Sequence, residues 1–322
     1  MQSELSINRI PESTNNSLRA WSAADELLVS FMEEKNPESV IIYNDAFGYL
    51  AAHSAPRTIY FASDLKSQEK AALENFATNK IDTSYLHPTS LLKKADKKGK
   101  LGLMKIPKSM GLFEMYLSHS AQNMYKTGTL ACGFMTRNFT KQILEIAGEY
   151  FEEVEQSLSK KKARLLILSQ PKNVDKKTFL NTISFNNDEI KQYFGVFSSK
   201  HIDYATQFLI ENIEPPEQLE TVLDLASGNG ILAKEIHKQF PDAEYHLVDD
   251  SQLAIESSKL NLEGEKIHFY HNNNLEDIAS NSMDYIVSNP PFHVEFEIDI
   301  SLPLRLFRAA EKKLKPEGKF QL

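Results

Sequence analysis

At residues 289–292 the chain reads Asn-Pro-Pro-Phe. Two successive prolines fix the backbone, so that the carbonyl of Pro290 points away from any sheet and stays free as an acceptor. The side-chain oxygen of Asn289 is a second acceptor close by. Two converging acceptors suit an NH2 group conjugated to a ring or a carbonyl. Hydrogen bonds to both protons hold such a group in place and localise the nitrogen lone pair towards an electrophile. Phe292 offers a flat face on which a planar substrate can stack. Pro291 and His293 flank it within reach of the same substrate. The plain alternatives are a Pro-Pro turn that closes a strand and a surface histidine.

A second group lies upstream, in the run Asp224-Leu225-Ala226-Ser227-Gly228-Asn229-Gly230. Glycines let a backbone approach a ligand closely, and the helix that follows offers free N–H groups. Asp249 comes 25 residues after Asp224, where a carboxylate at the end of a second strand can accept both hydroxyls of a ribose. A glycine turn alone is also compatible with a simple tight turn. With the acid at this spacing it points to a nucleoside ligand. No Gly-Lys-Ser/Thr follows, so the turn is not a phosphate-binding P-loop.

The elements that must position these residues follow from the pattern. Strands are expected over 221–225, 244–249, 266–271, 283–288 and from 319 onwards. Helices are expected over 231–240, over 251–262 with Ser251 as N-cap, and over 301–314, with a turn at 316–318. Strands alternating with helices predict a doubly wound, mostly parallel α/β sheet.

The first half repeats this order. Residues 39–53 parallel TVLDLASGNGILAKE, 58–76 parallel EYHLVDDSQLAIESSKLNL, 100–117 parallel the Asn-Pro-Pro-Phe strand and its helix, and 126–136 parallel PEGKFQL. A repeat of roughly 180 residues predicts two tandem Rossmann-like domains, 1–185 and 186–322. The first is degenerate. It has Ser63 in place of Asp249, and Lys105-Ile106-Pro107-Lys108 in place of Asn289-Pro290-Pro291-Phe292. After its fifth strand it continues with a helix over 139–158 and a strand over 163–170. The second copy has no counterpart to these, so it is expected to be incomplete at its C-terminus.

Composition narrows the class. The 322 residues are 41% hydrophobic and 25% charged, which fits folded domains and excludes general disorder. No apolar run is long enough for a membrane span, and the polar N-terminus lacks the apolar stretch of a signal peptide. Cys132 is the single cysteine, which excludes an internal disulfide and a multi-cysteine zinc site. A cytoplasmic protein without a metal is expected. Net charge is −8, unevenly spread. Residues 1–185 carry 24 basic and 20 acidic side chains, and residues 186–322 carry 12 and 24. Within 91–177 the balance is 17 to 8. Such a segment suits a polyanion, although Lys93, Lys94, Lys97, Lys98 and Lys100 also read as a solvated loop.

This constellation resembles the class I S-adenosylmethionine-dependent methyltransferases that modify exocyclic or amide nitrogens. Several segments resemble one bacterial family in particular, the guanine-N2 methyltransferases of large-subunit ribosomal RNA (the methyltransferase G family of 23S rRNA). They are LRAWSAADELL (18–28), NDAFGYL (44–50), IPKSMGLFE (106–114), KKARL (161–165), GVFSSKHIDYATQFL (195–209) and NPPFH (289–293). The resemblance implies a degenerate domain followed by an active one, with S-adenosylmethionine as cofactor. It places Asp224, Ala226 and Gly228 to Gly230 at the methionine end, Asp249 on the ribose and Asn273 facing the adenine amine. Asn289 and Pro290 would grip the guanine amine, Phe292 would stack on it, and Phe197–Asp203 would close over the cofactor. Where the family's turn begins Gly-Cys, this chain has Ala226-Ser227, which adds a methyl group where backbone closeness is wanted.

The expected substrate is 23S rRNA with its guanine flipped or single-stranded, held in part by Lys93, Lys94, Lys105 and Lys108. The same Asn-Pro-Pro-aromatic site also serves protein glutamine and adenine N6. A non-catalytic RNA-binding or ribosome-assembly protein is a reading from another class.

Overall fold

A buried strand flanked by parallel neighbours recurs twice along the chain, and each occurrence is the centre of its own sheet. In the computed structural model, residues 5–12, 18–93, 99–174, 177–198, 201–290, 293–294, 297–298 and 301–322 are described, with the backbone alone at 293–294, 297–298 and 301–303. The chain forms two units, Met1–Thr178 and Phe179–Leu322. The expected boundary at 185/186 falls inside a hairpin that belongs wholly to the second unit.

The first unit runs α1 (Ala23–Lys35), β1 (Ser39–Tyr43), α2 (Tyr49–Ser54), β2 (Thr58–Ala62), α3 (Lys66–Thr78), β3 (Leu86–Thr89), β4 (Gly99–Lys105), α4 (Met110–Asn123), β5 (Met124–Met135), α5 (Lys141–Tyr150), β6 (Phe151–Gln156) and β7 (Ala163–Pro171). Its sheet has the order β3-β2-β1-β4-β5-β7-β6. The first five strands are parallel, and β7 is antiparallel to both β5 and β6. Central β1 buries Val40, Ile41, Ile42 and Tyr43, as expected of a strand covered on both faces. The helix expected over 139–158 ends at Tyr150. Residues 151–156 form an edge strand instead, with Glu152, Glu153 and Glu155 exposed. Charged edge side chains of this kind oppose pairing with another chain.

The second unit opens with a hairpin, β8 (Leu180–Phe185) and β9 (Asp188–Tyr193). Asn186 and Asn187 turn it with φ of 48° and 67°, the left-handed pair that a two-residue hairpin loop requires. Then come α6 (Tyr204–Glu211), β10 (Thr221–Leu225), α7 (Ile231–His237), β11 (Glu244–Asp249), α8 (Gln252–Asn261), β12 (Ile267–His271), β13 (Met283–Ser288), the short antiparallel pair β14 (His293–Val294) and β15 (Glu297–Ile298), α9 (Ser301–Glu311) and β16 (Leu314–Gln321). The sheet order is β12-β11-β10-β13-β16, all parallel. Alternate residues of its strands feed two apolar layers. Val222, Tyr245, Leu247, Tyr285 and Val287 lie on one face, and Leu223, Leu225, Val248 and Ile286 on the other.

The repeat holds at the level of register. Ser39 pairs with Thr58 as Thr221 pairs with Glu244. Val40 meets Leu101 as Val222 meets Tyr285, which sets Lys105 at the place of Asn289. Both sheets even share one irregularity. Between β4 and β5 the register jumps from Gly99↔Met124 to Leu101↔Thr129, and between β13 and β16 from Met283↔Leu314 to Tyr285↔Lys319. The turn expected at 316–318 is this bulge, so β16 begins at Leu314, before it.

Candidate active site

The candidate site residues lie at or just beyond the C-terminal ends of β10, β11, β12 and β13. Strand β10 leaves the sheet through a turn in which Ala226, Gly228 and Gly230 all take left-handed backbones, with φ of 57°, 56° and 77°. Bonds to neighbouring elements pin this turn. Ser227 N–H donates to the Val248 carbonyl at 3.2 Å. Gly228 N–H donates to Asp249 Oδ2 at 2.8 Å. Ser258 Oγ donates to the Gly228 carbonyl at 3.0 Å.

The two expected glycines do different work. A Cβ on Gly228 would meet nothing within 4 Å, whereas one on Gly230 would meet Ser258 and Leu247 side chains at 3.0–3.2 Å. Gly228 fronts open space. Gly230 lets α7 pack closely on α8 and β11.

Asp249 stands where expected, at the end of β11. Oδ2 takes the Gly228 N–H, and Oδ1 takes the Ser251 N–H at 2.8 Å. Each oxygen retains lone-pair capacity. Burial raises its carboxyl to about 6 against these two bonds. Asp224 is fully buried beneath the turn. Its Oδ2 accepts from Ala233 N–H at 3.1 Å, near the start of α7, and Oδ1 has no partner. Desolvation, with a smaller push from Asp249, raises it to about 8. Buried polar atoms normally find partners. Three here do not, namely Asp224 Oδ1, Ser227 Oγ and Asn273 Oδ1. With the open space at Gly228, these unpartnered polar atoms fit a ligand with complementary hydrogen-bonding groups and a ribose. An adenosine-bearing cofactor fits part of this set: Asn273 Oδ1 suits the adenine amine, and the lone pairs left on Asp249 suit the ribose.

Asn289 follows the last residue of β13. Its Nδ2 donates to Asp203 Oδ2 at 3.2 Å and to Thr206 Oγ1 at 2.8 Å, which leaves Oδ1 as the unused end of the amide. Pro290 is buried beside it. Pro291 and Phe292 lie outside the described residues, and His293 is placed only as a backbone position in β14, paired with Ile298.

Reading the sequence alone missed Asp203 and Thr206 as partners of Asn289. The available signal was Asp203 as an N-cap, since its Oδ2 accepts from Ala205 and Thr206 N–H at 3.1 and 3.3 Å. Gln192 was also missed. Buried on β9, it accepts from Asn229 Nδ2 at 2.6 Å and donates to the carbonyls of Val196, Phe197 and Ser198 at 3.4 Å. It thereby ties the start of the segment Phe197–Asp203 to the glycine turn.

The corresponding corner of the first unit is closed on itself. Asn44 has φ of 54°, donates from Nδ2 to the Lys105 carbonyl at 3.0 Å and accepts at Oδ1 from Gln68 Nε2 at 3.0 Å. Ser63 donates to Gln68 Oε1 at 2.6 Å. Lys105, expected to face RNA, instead pairs with buried Asp25 at 2.7 Å, because an unpaired carboxylate there would carry a large desolvation cost. Lys93 and Lys108 are exposed, and Lys94 lies outside the described residues.

No helix among the described residues is long and apolar enough to cross a membrane. The family model of the RLMG N-terminal domain matches residues 1–173, and that of the methyltransferase small domain matches residues 187–322. Among curated proteins, the ribosomal RNA large subunit methyltransferase G of Aeromonas salmonicida is 30% identical over 328 residues, covering 98% of this chain and 86% of that protein. The protein of the same name from Shewanella loihica is 28% identical over 339 residues, covering 99% and 84%. Among solved structures, the T. Thermophilus 16S rRNA N2 G1207 methyltransferase in complex with AdoMet and guanosine superposes with a TM-score of 0.76 at 19% identity. It covers 96% of this chain and 84% of that one, and shows a shared two-domain methyltransferase fold.

Proposed function

Because this chain belongs to the ribosomal RNA large subunit methyltransferase G family, we propose that it methylates the exocyclic N2 amine of a guanine in 23S rRNA, with S-adenosylmethionine as donor. The observation that carries the reading is the tethered amide of Asn289, whose donors are both occupied and whose oxygen is left for an incoming amine.

When bound, S-adenosylmethionine supplies an electrophilic methyl group on a sulfonium that becomes a neutral thioether on transfer. Asp249 takes the ribose hydroxyls while holding the glycine turn in place, and Asn273 Oδ1 accepts from the adenine amine. Gly228 leaves room for the methionine portion, and Asp224 fixes the start of α7 beneath it. Asn289 Oδ1 and the Pro290 carbonyl accept the two protons of the guanine amine, which directs its lone pair towards the methyl carbon. Phe292 stacks on the base, flanked by Pro291 and His293. No charged base is needed, since the nitrogen sheds its surplus proton to water after the bond forms. A base inside a helix does not reach such a pocket, so the guanine is flipped or single-stranded when modified.

The first unit acts in this reading as the RNA holder. Its own corner is closed by the Asn44, Gln68 and Ser63 network, and its exposed lysines, among them Lys93 and Lys108, supply phosphate contacts. Lys94, Lys97 and Lys98 extend this basic run in the sequence.

The test is incubation with methyl-labelled S-adenosylmethionine and protein-free, unmodified rRNA, followed by digestion to nucleosides. Label in N2-methylguanosine from the 23S fraction supports the reading. Label in N6-methyladenosine, or no labelled nucleoside from a protein that binds the cofactor, overturns the substrate. Absence of both label and cofactor binding favours an assembly role and overturns the enzyme.

A further inference from the structure

We propose that Asp203 and Thr206 are positioning residues that set which end of the Asn289 amide faces the substrate, an inference that rests on Asn289 receiving the target amine. An asparagine side chain is nearly symmetric in shape, so nothing in its packing alone decides whether oxygen or nitrogen points into a site. The surrounding hydrogen bonds decide it. Asp203 Oδ2 lies 3.2 Å from Nδ2. A carboxylate only accepts, so the NH2 end must face it, and the flipped amide would set oxygen against oxygen. Thr206 Oγ1, at 2.8 Å, takes the second proton. With both protons engaged, Oδ1 is directed away from α6 as a pure acceptor.

The partners are themselves held. Asp203 caps α6 through the Ala205 and Thr206 N–H groups. Thr206 is buried, and Leu209 anchors the same helix in the apolar layer with Val222 and Tyr285. The start of α6 is therefore a fixed post against which the amide, 83 and 86 residues further along the chain, is oriented. Catalysis by placed acceptors depends on such orientation, and small misplacements cost rates by about 100-fold.

The contact separates from the helix cap by substitution. Asp203→Ser keeps a capping oxygen but is too short to reach Asn289. Asp203→Asn keeps both the cap and an acceptor oriented by it. Thr206→Val removes the second acceptor without touching the cap, and Thr206→Ser restores it. With the full chain, rRNA and labelled donor, the expected result is a fall in kcat of about 10- to 100-fold for Asp203→Ser and Thr206→Val. KM for RNA and the dissociation constant for S-adenosylmethionine stay unchanged. Asp203→Asn and Thr206→Ser are expected within about threefold of the parent.

A Thr206→Val protein with undiminished kcat overturns the inference, whatever becomes of Asp203→Ser. So does a loss that Thr206→Ser fails to restore. The broader functional reading fails in a different way: the parent chain itself then yields no N2-methylguanosine.

Discussion

Asn44 and Ala226 stand at the same point of the two units and share a left-handed backbone, with φ of 54° and 57°. Asparagine tolerates that conformation through its side-chain bonds, whereas alanine has none and carries a cost of about 1 kcal/mol or more. Ala226→Gly is expected to raise stability by about 0.5–1 kcal/mol, the relief being partly offset by the entropy of glycine in the unfolded chain. Asn44→Gly relieves nothing and removes the bonds to Lys105 and Gln68, so it is expected to cost about 1–2 kcal/mol. Urea unfolding of the two variants should therefore show opposite signs at equivalent positions.

Gly48 and Gly230 form a second matched pair, with φ of 72° and 77°. A Cβ on Gly48 would lie 2.4 Å from the Ala72 Cα, part of the α3 backbone, whereas one on Gly230 would meet the Ser258 hydroxyl at 3.0 Å. Side chains at that distance can give by a few tenths of an ångström, whereas a helix backbone at 2.4 Å cannot. Gly48→Ala is thus expected to destabilise by several kcal/mol, against about 1–2 kcal/mol for Gly230→Ala. Thermal unfolding of the two proteins checks the order.

Asp45 supplies a pH dependence. It is buried, caps Ala51 N–H at 2.9 Å through Oδ2, and burial raises its carboxyl from 3.8 to about 7. Between those values the folded state binds more protons than the unfolded one, so this group's contribution falls as pH rises through the window. Asp45→Asn keeps the acceptor and removes the titration. The stability of the variant relative to the parent, measured in urea at pH 5 and pH 8, is expected to be greater at pH 8. A difference that does not change with pH would refute the assignment.

The lysines divide into two sets. Lys105→Met strands the Asp25 carboxylate in a buried position and is expected to cost about 3 kcal/mol, with the salt dependence of RNA binding unchanged. Reversing the charge of exposed Lys93 and Lys108 should leave stability nearly intact and weaken RNA binding. The slope of log affinity against log salt should flatten by about 2. Filter binding over a salt series, beside urea unfolding, separates the two behaviours.

Much of the fold was legible because the repeat constrains register. Aligning TVLDL with SVIIY set Lys105 at the place of Asn289 and Thr129 at that of Lys319, as the registers show, whereas the bulge at 316–318 read as a turn. Strand β6 was not legible. Ile143, Ile146, Ala147, Tyr150, Phe151 and Val154 continue a helical spacing, and only pairing with β7 makes the last stretch a strand. Strand β3 was hidden by its brevity and by Pro88, which an edge strand tolerates. In the candidate site, residue types and spacing placed Asp249 and Asn289 at the ends of their strands. The hydrogen bonds from Asn289 to Asp203 and Thr206 cross most of the unit's sequence, and no local pattern encodes them.

Asn289→Ala tests the central claim most directly. The variant lacks the oxygen offered to the guanine amine but leaves the glycine turn, Asp249 and Asn273 untouched. Its affinity for S-adenosylmethionine is expected to equal that of the parent, while labelled N2-methylguanosine in the 23S fraction falls by about 100-fold or more. Undiminished label from a protein that binds the cofactor normally would contradict the account.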